Sequence, residues 1–586
     1  MTKIRILLLT VFALLSVHAS FADTIHGDLV TWHKATIDFE GPNSSETGDI
    51  NPFTDYRLDV EFTGPSGQRF SIPGYFAADG NAGESSAESG NIWRVHFCPD
   101  ESGSWKYQAS FVKGKMVAAN LKGGKSAGYF DDTRGTFEVS DSDKAPGKDF
   151  RTQGRLAYVG KHFLQFQRSK AYFLKAGANS PEVFLEYKGF DNTPSKRTYP
   201  DHIQDWNQDD PTWKNGKGKG IIGVINYLSS LGVNALYFLP MNSYGDGKQA
   251  WPWIDGDAIL TYDCSKLDQW EVLFSHMTHK GVMPHFVLSE TENEAFFEIR
   301  ETGRTGGFAK SRKVYYREMV ARFGHHPAIT WNIGEENGWA QGDGYHTANT
   351  DEQRILFSAH LRKLVPYDDH IVIHNGPSYE DWIFTPLLGN KNLTGPAFQW
   401  NYEEDIYGKT LEWRNKSAAA GQPWVFGLDE PFIKETKVPM EVWRKNVVWG
   451  TFMAGSAGVE LYIGKGDDLR VQDYRPFEKH YQTAVRAIRF LSDHTTFKAL
   501  EPHEDFADNA WTLSKEGETY LLYLADGGTT EVKLPEGEYS AHWFDPRNGG
   551  DLQRSSKKSL SGGNSTSIGN PPNSSDDDWV CLIRKN

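Results

Sequence analysis

Hydrophobic and polar positions follow three different rhythms along this chain. Residues 25 to about 145 alternate over short stretches: YRLDVEFTGPSGQRFSIPGYFA and NIWRVHFCPDESGSWKYQASF each run at period two and break at Gly, Pro or Ser turns. That pattern predicts the antiparallel strands of a small β-sandwich. From about 155 the rhythm changes to apolar runs separated by amphipathic segments. The runs are AYFLKAG (171–177), VNALYFLP (233–240), VMPHFVLS (282–289), AITWNI (328–333), HIVIHN (370–375), GPAFQW (395–400), PWVFGL (423–428) and GVELYI (458–463). Between them, Ser265 with Asp268 starts a segment whose Trp270, Leu273, Phe274 and Met277 share one helical face. Thr350 with Gln353 forms a capping-box pattern, and MEVWRKNVVWGTFMAG ends in Gly before the last run. Strand, helix, strand repeated eight times predicts an α/β fold, a (β/α)8 TIM barrel. After about 495 short strands return, with WVCLIRK as the last and the Gly/Ser/Asn-rich stretch before it read as a loop. The predicted organisation is a barrel over 155–490 between an immunoglobulin-like β-sandwich at 25–145 and a second β-sandwich at 495–586.

Composition changes this picture in three ways. Lys3 and Arg5 precede ILLLTVFALLSV, and small residues follow at Ser20 and Ala22, so 1–22 reads as a secretory signal cleaved near Ala22. The mature protein is then periplasmic or secreted, and no later run reaches the roughly 20 apolar residues of a membrane span. Three scattered cysteines make neither a disulfide scaffold nor a metal knuckle. A net charge of -15 argues against a nucleic-acid partner, while 19 Trp, 25 Tyr and 35 Phe offer flat faces suited to sugar rings as well as to core packing.

In a TIM barrel the chemistry collects at the C-terminal strand ends, where the loops converge over a rigid core. Reading those ends in order gives Asn179 and Glu182, Asn242 and Tyr244, Glu290, then Glu335 and Glu336. The second half gives His374 and Asn375, Trp400 and Asn401, Asp429 and Glu430, and Glu460. Strands four and seven lie on opposite sides of a barrel mouth, so Glu336 and Glu430 can face each other across a bound glycosidic bond. That reaction needs one protonated and one ionised carboxyl, and two like charges in proximity push their pKa values apart. Glu335 and Asp429 are the alternatives at the two positions. Glu182, Glu335, His374, Trp400, Asn401, Asp429 and Glu460 are candidate sugar contacts, each also readable as scaffold. Trp331 and Trp400 are equally readable as core or as sugar platforms. His325 and His326 sit at a helix end before Pro327, and neither His-Glu-x-x-His nor a calcium-loop pattern occurs, so no metal or other cofactor is expected.

ITWNIGEENGW resembles the fourth-strand motif of clan A retaining glycoside hydrolases, and PWVFGLDEP resembles their seventh-strand segment. The resemblance implies Glu336 as acid/base and Glu430 as nucleophile. It also puts Glu335 where the clan usually has an Asn that contacts the sugar 2-hydroxyl. NPFTDYRLDVEFTGPSG, WRVHFCPDESGSW and YFLKAGANSPEVFL are similar to a group of bacterial polysaccharide-degrading enzymes that combine an immunoglobulin-like domain, a barrel and a C-terminal sandwich of collagen-binding type. That similarity implies a polysaccharide or oligosaccharide partner, a marine algal galactan such as a carrageenan or agar-like chain. Lys175, Lys214, Lys217 and Lys219 are either positive charges for a sulfated chain or ordinary scaffold groups. An inverting hydrolase, with carboxyls roughly 6.5–9.5 Å apart instead of about 5–5.5 Å, is the mechanistic alternative. A non-catalytic carbohydrate-binding or adhesion protein would leave the carboxylates at strands four and seven unexplained.

Overall fold

The computed structural model describes residues 23–339, 344–432, 438–573 and 576–586; the expected signal segment 1–22 lies outside them. Eight parallel strands close into a barrel: β1 Lys175–Ala178, β2 Ala235–Phe238, β3 Met283–Val287, β4 Thr330–Asn332, β5 His370–His374, β6 Gly395–Asn401, β7 Gly427–Phe432 and β8 Gly458–Leu461. β8 pairs with β1 to complete the ring. Five of the apolar runs contain their strand, and β1 and β6 overrun theirs by one residue, but β7 begins four residues after Pro423 and so carries Asp429 and Glu430 within it.

The helix that follows β2 is Cys264–Lys280, and its cap is Asp263, whose side chain accepts from the Lys266 amide, rather than Ser265. Its Trp270, Leu273, Phe274 and Met277 are buried as the pattern requires. Asp351–Leu364 has the Thr350–Gln353 capping box. The segment before β8 departs from expectation: between short α-helical ends, Trp443–Trp449 winds as a π-helix, a variation that a 3.6-residue period cannot announce.

Before the barrel, a four-stranded and a five-stranded antiparallel sheet pack face to face. Phe62 of one stacks on Phe97 of the other with centroids 4.2 Å apart. After it comes a seven-stranded sheet in which Trp579–Lys585 lies between Thr519–Leu524 and Glu538–Phe544. The stretch read as a loop contributes three short strands, Gln553–Arg554, Leu560–Ser561 and Ser565–Ser567. A two-stranded ribbon packs its Val532, with the adjoining Ile568, into the same apolar cluster as the larger sheet, so this C-terminal part is sheet-rich, as the returning short strands predict.

Both flanking parts are tied to the barrel by buried polar contacts. Lys34 Nζ donates to Glu271 at 2.7 Å, and Glu271 also meets His325 and His326 at 3.2 and 3.1 Å. The paired histidines therefore belong to an interdomain polar cluster around Glu271. On the other side Arg444 and Tyr523 both donate to the fully buried Asp578.

Candidate active site

The barrel interior is built around charge instead of apolar layers. Lys175 of β1 donates to Asp429 of β7 at 2.5 Å and lies 3.2 Å from Glu460 of β8. His285 of β3 adds a contact of 3.3 Å to Glu460. Small residues make the room: a Cβ on Gly427 would lie 2.3 Å from Asp429 Oδ1, and one on Gly177 would lie 2.5 Å from Glu460 Cγ. Burial raises Glu460 to about 7 and lowers His285 to about 3. Asp429 and Glu460 are thus held by Lys175 in the deep barrel and do not line the cavity above it, which corrects their assignment as sugar contacts.

A bulge explains how adjacent acids reach different depths. β6 and β7 pair Phe398 with Leu428 and then Gln399 with Glu430, leaving Asp429 without an opposite residue. In regular pleating neighbours point to opposite faces; the extra residue lets Asp429 and Glu430 both turn inward. Alternation still rules on β6. Gln399 points in, whereas Phe398 and Trp400 point out and stack on each other at 4.0 Å. Trp400 is 1% exposed and Trp331 is fully buried against Phe286, with its Nε1 donating to Asp369. Both indoles are core, not sugar platforms. Asn401 turns to the following segment, where its Oδ1 accepts from the Glu403 amide.

Above the charged floor, a cavity of about 260 Å³ opens, lined by Glu182, Asp246, Glu292, Glu335, Glu336, Trp339, Glu430, Phe432, Tyr462 and Lys465. Gln399 organises its base: one amide nitrogen donates to Glu336 Oε1 at 2.7 Å and to Glu430 Oε1 at 2.6 Å. Two atoms so close to one nitrogen are separated by no more than the sum of those distances, about 5.3 Å. Glu335 turns away from Gln399 and accepts from Tyr237 Oη at 2.5 Å, and Tyr237 also meets His374 Nδ1 at 3.1 Å. His374 Nε2 lies 3.7 Å from Glu430 Oε2. Glu335, His374 and Glu430 therefore bring three donor atoms within 4.8 Å of one another, although Tyr237 and Gln399 already hold the two acids.

The backbone beyond β4 is shaped for this display. Glu335 N donates to Ser289 O and His374 N to Gly334 O, so the segment stays clamped between β3 and β5. Gly334 has no space for a side chain, since a Cβ there would lie 2.6 Å from Ser289 Oγ. Glu336 has φ 45, a left-handed conformation that costs a non-glycine residue on the order of 1 kcal/mol. This swing sends Glu336 into the cavity while Glu335 stays buried.

Electrostatics follow from this crowding. Burial first, then the Glu336 charge, holds Glu335 well above the usual carboxylate range. Glu430 is raised by burial, then by Glu336 and Glu335, with the Gln399 hydrogen bond opposing. Burial pushes Glu336 up to about 8. Glu182 is raised by burial, then by Glu335. Burial keeps His374 neutral, with its pKa down to about 3. The cavity therefore holds protons near neutral pH as well as charges.

Of the residues singled out from sequence, Glu182, Glu335, Glu336 and Glu430 come together at one cavity, with His374 directly behind. Gln399, Tyr237, Glu292, Tyr462 and Lys465 were missed, while Asp246 lies in SYGDGKQAWPWIDGD, the acid- and aromatic-rich stretch after β2 that reads from sequence as a candidate subsite wall. Gln399 was visible as the one polar side chain inside the apolar run GPAFQW. Glu292 lies in the single 3-10 turn Thr291–Asn293 after β3, where nothing local distinguishes a wall residue from a solvated one.

Residues 28–112 match a family model described as a domain of unknown function, DUF5060. No curated protein matches the chain. Among solved structures, a candidate glycoside hydrolase from Bacteroides vulgatus ATCC 8482 is similar over 95% of this chain and 99% of its own, with a TM-score of 0.63 at 14% identity. A glycoside hydrolase family 5 protein from the same organism is similar over 75% of this chain and 95% of its own, with a TM-score of 0.53 at 13% identity. At such identities the likeness is one of fold alone; this chain has a TIM-barrel core with N- and C-terminal flanking domains.

Proposed function

We propose that this protein is a retaining glycoside hydrolase in which Glu430 attacks the anomeric carbon and Glu336 is the acid/base. The observation that carries the reading is the Gln399 bridge, which limits the separation of the two nearest carboxylate oxygens to about 5.3 Å. Retaining enzymes place their carboxyls about 5–5.5 Å apart, while an inverting pair needs roughly 6.5–9.5 Å to seat a water. Glu336 protonates the leaving oxygen as Glu430 forms the glycosyl-enzyme, and then takes a proton from the water that releases it. Proton sharing resolves the raised pKa values. Once Glu335 and Glu336 hold protons their charges no longer oppose Glu430, which ionises with the Gln399 amide on its Oε1. Glu335, steadied by Tyr237, and Glu182 are proposed to contact the sugar. His374 supports Glu430 from behind.

The substrate class in this reading is a polysaccharide or its oligosaccharides, with a carrageenan or agar-like galactan as the class that the motif resemblance implies. Export belongs to the same reading, since residues 1–22 carry the signal pattern and a polymer outside the cell needs an exported enzyme. Among the described residues no helix is long and apolar enough to cross a membrane.

NMR of the first-formed product tests the stereochemistry. Retention of the anomeric configuration is expected; a product of inverted configuration would replace the covalent step by attack of water with Glu430 as general base. The pH profile offers a separate check. Glu336 must be protonated to act as the acid, so kcat/KM should fall as pH rises through about 8. An alkaline limb already complete near pH 6 would remove Glu336 from the acid role.

A further inference from the structure

We infer that the sugar units seated across Glu336 and Glu430 carry no sulfate or carboxylate group, so that cleavage falls within an uncharged stretch of the glycan. This rests on the hydrolase reading above and narrows its substrate: of the galactans named there it keeps the neutral, agar-like chains and sets aside sulfated carrageenan repeats at the point of cleavage.

Charge balance is the first ground. Among the described residues lining the cavity, Glu182, Asp246, Glu292, Glu335, Glu336 and Glu430 are acids, and Lys465 is the one cation. The lysines that could have offset a sulfate are elsewhere. Lys175 is held by Asp429 and Glu460 in the barrel floor, Lys214 and Lys217 face Asp191, and Lys219 lies over the Trp206 ring. A sulfate in this cavity would be desolvated with a single cation to offset it, beside carboxyls that burial and mutual repulsion already drive to retain protons.

Hydrogen-bond chemistry is the second and independent ground. Glu430 is 3% exposed and Gln399 fully buried, yet Glu430 Oε2 and Gln399 Oε1 have no hydrogen-bond partner. The Gln399 orientation is set by its nitrogen, which must face the two carboxylates. Both unpartnered atoms on the cavity side of the pair are therefore acceptors, and the likewise unpartnered His374 Nε2 behind Glu430 lies 3.7 Å from its Oε2, beyond hydrogen-bond reach. They call for a donor, which a sugar hydroxyl supplies and a sulfate ester does not. Trp339, exposed at the rim, and Tyr462 add aromatic surface beside the acids.

The test is isothermal titration of the intact protein with pairs of oligosaccharides that share a backbone. Carrageenan and agarose fragments are compared before and after chemical desulfation, and xylan and glucan fragments before and after sulfation. The unsulfated member of a pair is expected to bind at least roughly tenfold more tightly at low salt, with the gap shrinking as salt screens the acids. The double variant Asp246→Asn/Glu292→Gln, at the rim and outside the catalytic pair, should narrow that gap several-fold. A sulfated member that binds as well as or better than its parent, or a gap untouched in the double variant, overturns the inference. Hydrolysis is followed in parallel: a neutral chain that is preferred but never cleaved counts against the hydrolase reading and leaves the charge selectivity standing.

Discussion

Glu430→Gln is expected to abolish turnover on every glycoside, by roughly 10⁴- to 10⁶-fold, because in the proposed mechanism Glu430 is the group that forms the covalent intermediate. The comparison with Glu336→Gln is the informative part. A glutamine at 336 cannot protonate a leaving oxygen, so hydrolysis of unactivated chains should drop by about 10²- to 10⁴-fold. An aryl glycoside with an acidic phenol needs no such proton, and for it the first step should survive in Glu336→Gln. Deglycosylation then lacks its base and becomes limiting, so a burst of phenol followed by slow turnover is expected. The same assay on Glu335→Gln separates the adjacent acids. Glu335 is turned toward Tyr237 and away from the Gln399 bridge, so its loss should leave the leaving-group dependence unchanged. If Glu335→Gln shows the burst and Glu336→Gln does not, the acid/base assignment moves by one residue.

Removing the barrel-floor cation should have the largest effect on stability. Lys175→Met leaves Asp429 and Glu460, 2% and 0% exposed, without their shared partner. Breaking a buried ion pair from one side costs about 3–5 kcal/mol, because a charge stays desolvated and unpaired. The remaining acids can escape by taking up protons. Lys175 draws Asp429 and Glu460 down against burial, so without it both retain protons to higher pH. The variant's stability deficit should therefore be largest at alkaline pH, where the acids are forced to ionise, and should shrink as pH falls. Urea unfolding followed by barrel tryptophan fluorescence at several pH values checks both size and sign. Adding Asp429→Asn to Lys175→Met should restore part of the loss. A Lys175→Met protein as stable as the parent at pH 9 would mean that the acids of the floor are not charged in the native state. Because β7 carries Asp429 next to Glu430, this variant should also lose activity through displacement of β7.

The two experiments address one architectural feature from opposite sides. A bulge in β7 assigns consecutive acids to different tasks, Asp429 to the floor and Glu430 to the cavity. Deleting the charge of either has a distinct signature, in stability for the first and in chemistry for the second.

Sequence by itself determined the layout: two-residue periodicity, then eight apolar runs with amphipathic helices between them, then two-residue periodicity again. Those signals are local, since a strand or helix buries its apolar side wherever the chain takes it, and the closed barrel followed from their repetition. The acids at the ends of strands four and seven were legible for the same reason, because strand number fixes position around a barrel mouth. Tertiary structure alone decided which acids share the cavity. Asp429 and Glu430 are adjacent, and only the pairing of β7 with β6, with its inserted residue, sends one to Lys175 and the other to Gln399. Glu335 and Glu336 are likewise adjacent, and a left-handed φ at Glu336 parts them. Trp331 and Trp400 could not be sorted into core or platform until strand alternation placed each indole on the outer face of the barrel. Lys175 was separated from Asp429 by 254 residues of sequence, and no local pattern reports a contact made across a barrel, where burial and charge, not chain neighbours, choose the partner.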